Sequence, residues 1–126
     1  MNRTDYDKVI ERAVEIQKEW RNIPAPGRGD LIRVFGNELR DVIMPIGNAI
    51  MKDAKKIRAE AVGEVQEAID MCDFAVGLSR QLYGLTIQRE RPEHKLQEGY
   101  NPLGVVGGIT AFNIPCAVWA WNHCLA

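Results

Sequence analysis

The sequence predicts the mainly helical part of an α/β fold: about four helices, a β-hairpin, one strand of a parallel sheet and the start of another helix. Apolar residues recur every three or four positions over the first 80 residues, which is typical of helices that bury one face. After Gly84 this spacing gives way to short apolar segments separated by charged residues. A glycine-interrupted apolar run then precedes Pro115, which favours a strand that leads into a helix.

The first helix is predicted to start at Thr4, an N-cap residue type followed by Asp7, which complements the helix dipole. Its apolar face comprises Tyr6, Val9, Ile10, Ala13, Val14 and Trp20. Residues 22–29 contain two prolines and two glycines and are predicted to break the helix. A second helix is predicted from Asp30, and its buried stripe comprises Leu31, Val34, Phe35, Leu39 and Val42.

Pro45 either ends the second helix or opens a short third one, since a proline in the first turn loses no hydrogen bond. A longer helix is predicted over residues 56–81, with Gly84 as its left-handed cap. Its buried stripe comprises Ile57, Ala61, Val65, Ala68, Ile69, Cys72, Ala75 and Val76. We expect its charged residues to form a solvated face, which comprises Lys55, Arg58, Glu60, Glu64 and Glu67.

The remainder is predicted to contain a hairpin and one strand. Residues 85–87 and 96–100 are predicted to pair across a charged turn at residues 88–95. Apolar residues 103–109 are predicted to form a strand buried on both faces, with glycines where a backbone or a ligand approaches closely. The chain is thereby divided into a helical part (residues 1–84), a β-excursion (85–100) and a strand with its following helix (101–126).

Composition excludes several classes of protein. The 126 residues amount to about one domain, and 46% hydrophobic with 26% charged residues exclude disordered and collagen-like chains. A net charge of −1 gives no basic field for nucleic acid or an anionic membrane. No apolar run is long enough for a membrane span, and three cysteines do not form a disulfide framework. We expect a cytoplasmic setting.

Asn113 is the strongest candidate for chemistry, because it lies between the predicted strand and the helix that follows. In parallel α/β sheets, ligands bind beyond the carboxyl ends of the strands. A side-chain amide there can donate a hydrogen bond to a developing oxyanion. Alternatively, Asn113 simply caps the helix that Pro115 begins, which is a common role for asparagine. The glycines at 104, 107 and 108 do not fit a dinucleotide fingerprint.

The cysteines and the two late tryptophans favour packing roles. A reactive cysteine needs a base beside it and a zinc site needs four ligands, yet the sequence offers His94 and His123 and no C-x-x-C pair. Burial of Cys116 and Cys124 as small apolar side chains is therefore favoured, and no metal site is predicted. Trp119 and Trp121 are two residues apart, so we expect one in the core and the other facing a cavity.

Residues 101–122 resemble the aldehyde dehydrogenase superfamily, and within it the α-aminoadipic semialdehyde dehydrogenase (antiquitin) branch; they read NPLGVVGGITAFNIPCAVWAWN. Residues 20–29, 63–67, 69–70, 72–80 and 90–92 also look like that branch. The likeness runs from about Tyr6 to the end of the chain. It implies an NAD-dependent oxidoreductase that oxidises an aldehyde to the carboxylic acid, of which this chain is an N-terminal part.

The resemblance also implies roles for particular residues. Asn113 would be the oxyanion donor, and Ile114 and Trp121 would face the aldehyde tunnel. The nicotinamide-nucleotide site would be lined by Ile109, Thr110, Ala111 and Phe112. The excursion at residues 85–100 would join subunits into a homo-oligomer. Ile114 stands where the family usually has phenylalanine, so we expect a reshaped aldehyde pocket.

No cysteine of this chain falls at the family's nucleophile motif. We therefore expect the nucleophile and the general base to lie beyond residue 126, and the chain to be inactive by itself. The alternative is a non-catalytic helical module that associates with itself through exposed apolar surface.

Overall fold

The computed structural model describes residues 3–126, which form two compact units. One unit combines the chain up to Asn22 with Gln81–Val105, and the other combines Ile23–Arg80 with Val106–Ala126. The first contains α1 (Arg3–Trp20), β1 (Thr86–Ile87) and β2 (Leu96–Gln97). The second contains α2 (Ala25–Asp41), α3 (Ile43–Ala54), α4 (Arg58–Leu78) and α5 (Ala117–His123). The mainly helical prediction is thus confirmed.

In the first unit, α1 begins at Arg3, one residue before the predicted cap; the side chain of Thr4 lies outside the described residues. The predicted hairpin is confirmed: β1 and β2 are antiparallel, with Ile87 opposite Leu96. Gly84 is not the cap of the long helix, which ends at Leu78. Gly84 instead lies so close to the backbone of Glu98 that any side chain at this position would collide with it.

In the second unit, α2 begins at Ala25, five residues before the predicted start. Pro26 does not break this helix because it lies in the first turn. A backbone N–H there has no acceptor within the helix, so a proline removes no hydrogen bond. For the same reason Pro45 lies inside α3, close to its first residue, as in the second of the two predicted alternatives.

The core of the second unit is α4, against which α2, α3 and α5 all pack. Most of its predicted stripe is buried, although Ile57 is exposed and Val76 is half-buried. Glycines allow the neighbouring helices to approach closely. A Cβ on Gly36 of α2 would lie 2.9 Å from the Cβ of Cys72, and one on Gly47 of α3 would lie 2.9 Å from a methyl group of Val62.

These close contacts also explain why the predicted stripe of α2 is partly wrong. Leu31, Val34 and Val42 are exposed. The face of α2 that meets α4 contains Gly36 and Leu39, both buried, because a glycine lets the helix backbones approach where a larger side chain would separate them.

The strand predicted over residues 103–109 is not a β-strand in the structure. A strand is held by hydrogen bonds to a neighbouring strand. Among residues 3–126 the sheet has two strands, β1 and β2, which pair with each other. Residues 103–109 are instead irregular, with Gly104 at a φ of 107°, and both Leu103 and Ile109 are almost fully exposed. Beyond them, α5 starts at Ala117, two residues after the predicted start at Pro115.

Candidate functional site

Asn113 lies in an exposed turn between the irregular residues 103–110 and α5. The amide of Ile114 donates to the carbonyl of Ala111 at 3.4 Å, which closes the turn around Asn113. Asn113, Ala111, Ile109 and Phe112 are all exposed, and Thr110 is half-buried. The predicted oxyanion donor and the predicted nucleotide-site residues thus lie on one largely solvent-exposed stretch of the chain.

The start of this stretch is held close to α5. A Cβ on Gly108 would lie 2.6 Å from the imidazole of His123, so a β-branched residue would not fit here without a shift. His123 itself stacks on Trp119, with ring centroids 4.8 Å apart. The glycine at position 108 thus allows the backbone to pass close to the end of α5.

Asn113 does not cap α5. The cap position is Cys116, and the helix has no side-chain capping hydrogen bond from that residue. The first free amides are instead bound by Glu64 of α4: its Oε1 accepts from the backbone N–H of Cys116 at 2.7 Å and from that of Ala117 at 3.4 Å. The capping role considered for Asn113 is therefore performed by a residue from another helix.

Glu64 is a buried carboxylate with a complete set of partners. It is 5% exposed, and its second oxygen accepts a hydrogen bond from Nζ of Lys56 at 2.9 Å. A buried charge is costly unless it is paired and hydrogen-bonded, and both conditions hold here. The predicted solvated face of α4 is wrong at this position.

The spacing around Glu64 is the sequence signal for its burial. Glu64 lies three residues after Ala61 and four before Ala68, so all three share one face of α4. Ala61 and Ala68 are buried. A carboxylate on a stripe of small buried residues indicates a buried polar partner rather than a solvated charge.

Trp121 and Trp119 are both anchored at the surface of the helical unit. The indole N–H of Trp121 donates to Oε1 of Glu67 at 2.8 Å, so Glu67 too has a partner on α5. Trp119 packs edge-on against Phe35 of α2, with centroids 5.7 Å apart. Each tryptophan remains about two-fifths exposed, so neither lies in the core as the sequence predicted for one of them.

The cysteines are placed for packing. The sulfur atoms of Cys72 and Cys124 are 3.7 Å apart in the core between α4 and α5. Burial, together with the hydrogen bond to Cys124, raises the pKa of Cys72 to about 12. Burial also raises the pKa of Cys124, and burial with the charge of Glu64 raises that of Cys116. All three thiols therefore stay protonated and poorly nucleophilic near neutral pH.

Residues 3–126 contain neither a cluster of metal-binding side chains nor a membrane-spanning helix. Nowhere among them do three or more histidine, cysteine, aspartate or glutamate side chains gather as a metal would need. The helices described here include none with the length and apolar character required to cross a membrane.

The family model described as "Aldehyde dehydrogenase family" matches residues 1–126. Aldehyde dehydrogenase family 7 member A1 of Pisum sativum is 53% identical over 122 residues, covering 97% of this chain and 24% of that protein. Alpha-aminoadipic semialdehyde dehydrogenase of Bos taurus is 48% identical over 122 residues, covering 97% of this chain and 23% of that protein.

A solved structure is similar as well. The structure of 3,6-anhydro-L-galactose dehydrogenase in complex with NAP has a TM-score of 0.82 and 29% identity over 93% of this chain and 24% of its own. The chain thus spans about a quarter of the length of the relatives it matches. The predicted resemblance is confirmed: the chain belongs to the aldehyde dehydrogenase family.

Proposed function

We propose that this chain is part of an NAD(P)-dependent aldehyde dehydrogenase in which Asn113 stabilises the oxyanion. The aldehyde carbon loses a hydride to the cofactor and gains an oxygen from water, which yields the carboxylic acid. The observation that carries this proposal is the state of Asn113: its side chain is exposed on a short turn, and Glu64 rather than Asn113 binds the amides of α5.

The side-chain amide of Asn113 suits that role chemically. Addition of a nucleophile to an aldehyde carbonyl places negative charge on oxygen, and an amide N–H aimed at that oxygen stabilises the charge. Such a donor is effective when it is held in place before the reaction. The turn closed by Ile114 and the first residues of α5 supply that rigidity.

The exposed residues before Asn113 suit one side of a nicotinamide-nucleotide site. Residues 109, 111 and 112 are exposed and uncharged, and a Cβ on Gly107 would have no neighbour within 4 Å, so a planar ring and a ribose could approach this backbone. We propose that Ile109, Thr110, Ala111 and Phe112 contact this half of NAD(P). The bound cofactor supplies the hydride acceptor, and the relation of this chain to a protein solved with NAP supports that assignment.

We propose an aldehyde or semialdehyde as substrate, with Ile114 and Trp121 beside it. Several relatives carry the name alpha-aminoadipic semialdehyde dehydrogenase, which supports a semialdehyde. Ile114 is 36% exposed next to Asn113, and the indole of Trp121 is fixed by Glu67. Both side chains are available to line a cavity completed by other parts of the protein.

The test is aldehyde-dependent formation of NAD(P)H, followed by absorbance, in the full-length protein that carries this sequence. Aliphatic aldehydes and α-aminoadipic semialdehyde are compared with NAD and with NADP. We expect oxidation in the wild type and a loss in kcat of about 100- to 1,000-fold for Asn113→Ala, the usual effect of removing an oxyanion donor.

Asn122→Ala is the matched control. Its side-chain amide donates to the carbonyl of Val118 within α5 at 2.7 Å and has no proposed role in the reaction. Equal losses in the two variants, or a wild type that oxidises no aldehyde, would contradict the proposal. The chain of residues 1–126 by itself is expected to form no NAD(P)H, because none of its three cysteines falls at the family's nucleophile motif and all three are buried or half-buried.

Self-association is a second candidate function, favoured by the exposed apolar side chains. Ile109, Leu103 and Phe112 are each more than 90% exposed, and surfaces of this kind mark interaction sites. As a homo-oligomer the chain would bury them. Light scattering tests this: a monodisperse monomer with a cooperative melt would contradict it.

A further inference from the structure

We infer that Glu64, paired with Lys56, is a positioning residue that holds Asn113 in its working geometry. The inference rests on the proposed function of Asn113, because it names how that side chain is oriented. Glu64 itself touches neither substrate nor cofactor. It acts on the backbone that follows the turn.

The contacts place Glu64 directly behind the turn. Cys116, whose amide donates to Glu64 at 2.7 Å, is three residues after Asn113. With its neighbour Ala117 also bound, one carboxylate oxygen fixes two successive backbone groups. Any rotation of this backbone would move Asn113 with it.

Burial and charge make this attachment strong. Glu64 is 5% exposed, so its hydrogen bonds do not compete with bulk water. The ammonium group of Lys56 balances its charge at 2.9 Å, and the side chain of Lys56 is 19% exposed. A carboxylate also accepts backbone hydrogen bonds more strongly than a neutral amide does.

A second carboxylate of α4 also contacts α5, but it does not hold the backbone that follows Asn113. Glu67 accepts from the indole of Trp121 at 2.8 Å, eight residues after Asn113. That contact fixes a side chain in the middle of α5, whereas the contact of Glu64 fixes the backbone at its start. Glu64 and Glu67 therefore have different roles.

The experiment is a double-mutant cycle in the full-length enzyme between Glu64→Ala and Asn113→Ala. Glu64→Ala is expected to lower kcat about 10- to 100-fold, as a misplaced catalytic group does, with the KM for the cofactor changed by less than about twofold. In the Asn113→Ala background the same change is expected to lower kcat by less than about threefold, because the group it positions is gone.

Glu64→Gln keeps one oxygen acceptor and is expected to recover part of the loss; it replaces Glu64→Ala in the cycle if the alanine variant does not fold. Glu60→Gln, an exposed position on the same helix, is the control and is expected to keep the wild-type kcat. An active wild type in which Glu64→Ala costs the same with and without Asn113 would overturn the inference alone. A wild type without activity would overturn the proposed function, and the inference with it.

Discussion

Two neighbouring stretches of the second unit, residues 106–112 and α5, have similar apolar composition and opposite environments. In α5, Ala117 and Ala120 have no exposed surface, because they pack against α4. In the preceding stretch, Ile109 and Phe112 are exposed almost completely. Apolar sequence alone therefore does not bury a segment; it needs a partner surface, and α4 supplies one to α5.

This difference matters for function because Asn113 lies at the boundary. The backbone after it is hydrogen-bonded to the buried Glu64, and the residues before it are largely exposed. A residue held from behind and exposed in front is suited to meet a ligand. Substitutions at buried positions and in the exposed stretch are therefore expected to have different effects.

The largest effect is expected when isoleucine is replaced by alanine at a buried position and at an exposed one. Ile69→Ala empties a position that is 1% exposed and is expected to lower the free energy of unfolding by about 2–5 kcal/mol. Ile109→Ala removes a fully exposed side chain and is expected to change it by less than about 0.5 kcal/mol. Urea unfolding of the two variants measures both. A similar loss in each would show that residues 106–112 are packed in solution.

A smaller effect is expected from two helical glycines. A Cβ on Gly36 would lie 2.9 Å from Cys72, so Gly36→Ala is expected to destabilise the fold by about 1–3 kcal/mol through overpacking. Gly63 of α4 has open space around it, so Gly63→Ala is expected to stabilise by up to about 1 kcal/mol through helix propensity. Thermal melts of the pair give opposite shifts in Tm. Shifts of the same sign would contradict the close contact between α2 and α4.

The buried thiols are expected to make the free energy of unfolding depend on pH. Folding raises the pKa of Cys72 from 9.0 to about 12, so between these values the unfolded chain loses a proton that the folded chain keeps. The free energy of unfolding is therefore expected to fall as pH rises from about 9 to about 12. Urea unfolding across this range measures the slope, and the variant Cys72→Ala/Cys124→Ala is expected to have a shallower one. An unchanged slope would show that the thiols do not carry the effect.

Periodicity predicted the helices well because each buries one side against a neighbour. The stripe of α4 around Val65, Ile69 and Cys72 is buried as its spacing predicts. The predicted start of α2 is wrong because a proline breaks a helix in its interior but not in its first turn, where Pro26 lies. The strand at residues 103–109 was wrong because a strand depends on a partner that its own residues do not specify.

The candidate site was predictable in part. The strand–turn–helix pattern and the family resemblance pointed to Asn113, but spacing left its capping role open. That question depends on a contact between Glu64 and Cys116, which are 52 residues apart. No local pattern contains such a contact, although the place of Glu64 on a buried stripe hinted at it. Lys56 lies only eight residues before Glu64, and its pairing follows from the burial of that carboxylate.

The most direct test of this account is hydrogen exchange of the Cys116 and Ala117 amides in the Asn113→Ala and Glu64→Ala variants. We expect wild-type exchange rates in Asn113→Ala and faster exchange in Glu64→Ala, because the carboxylate binds these amides and the asparagine does not. Faster exchange in Asn113→Ala with protection retained in Glu64→Ala would contradict it, and Asn113 would then be the cap of α5.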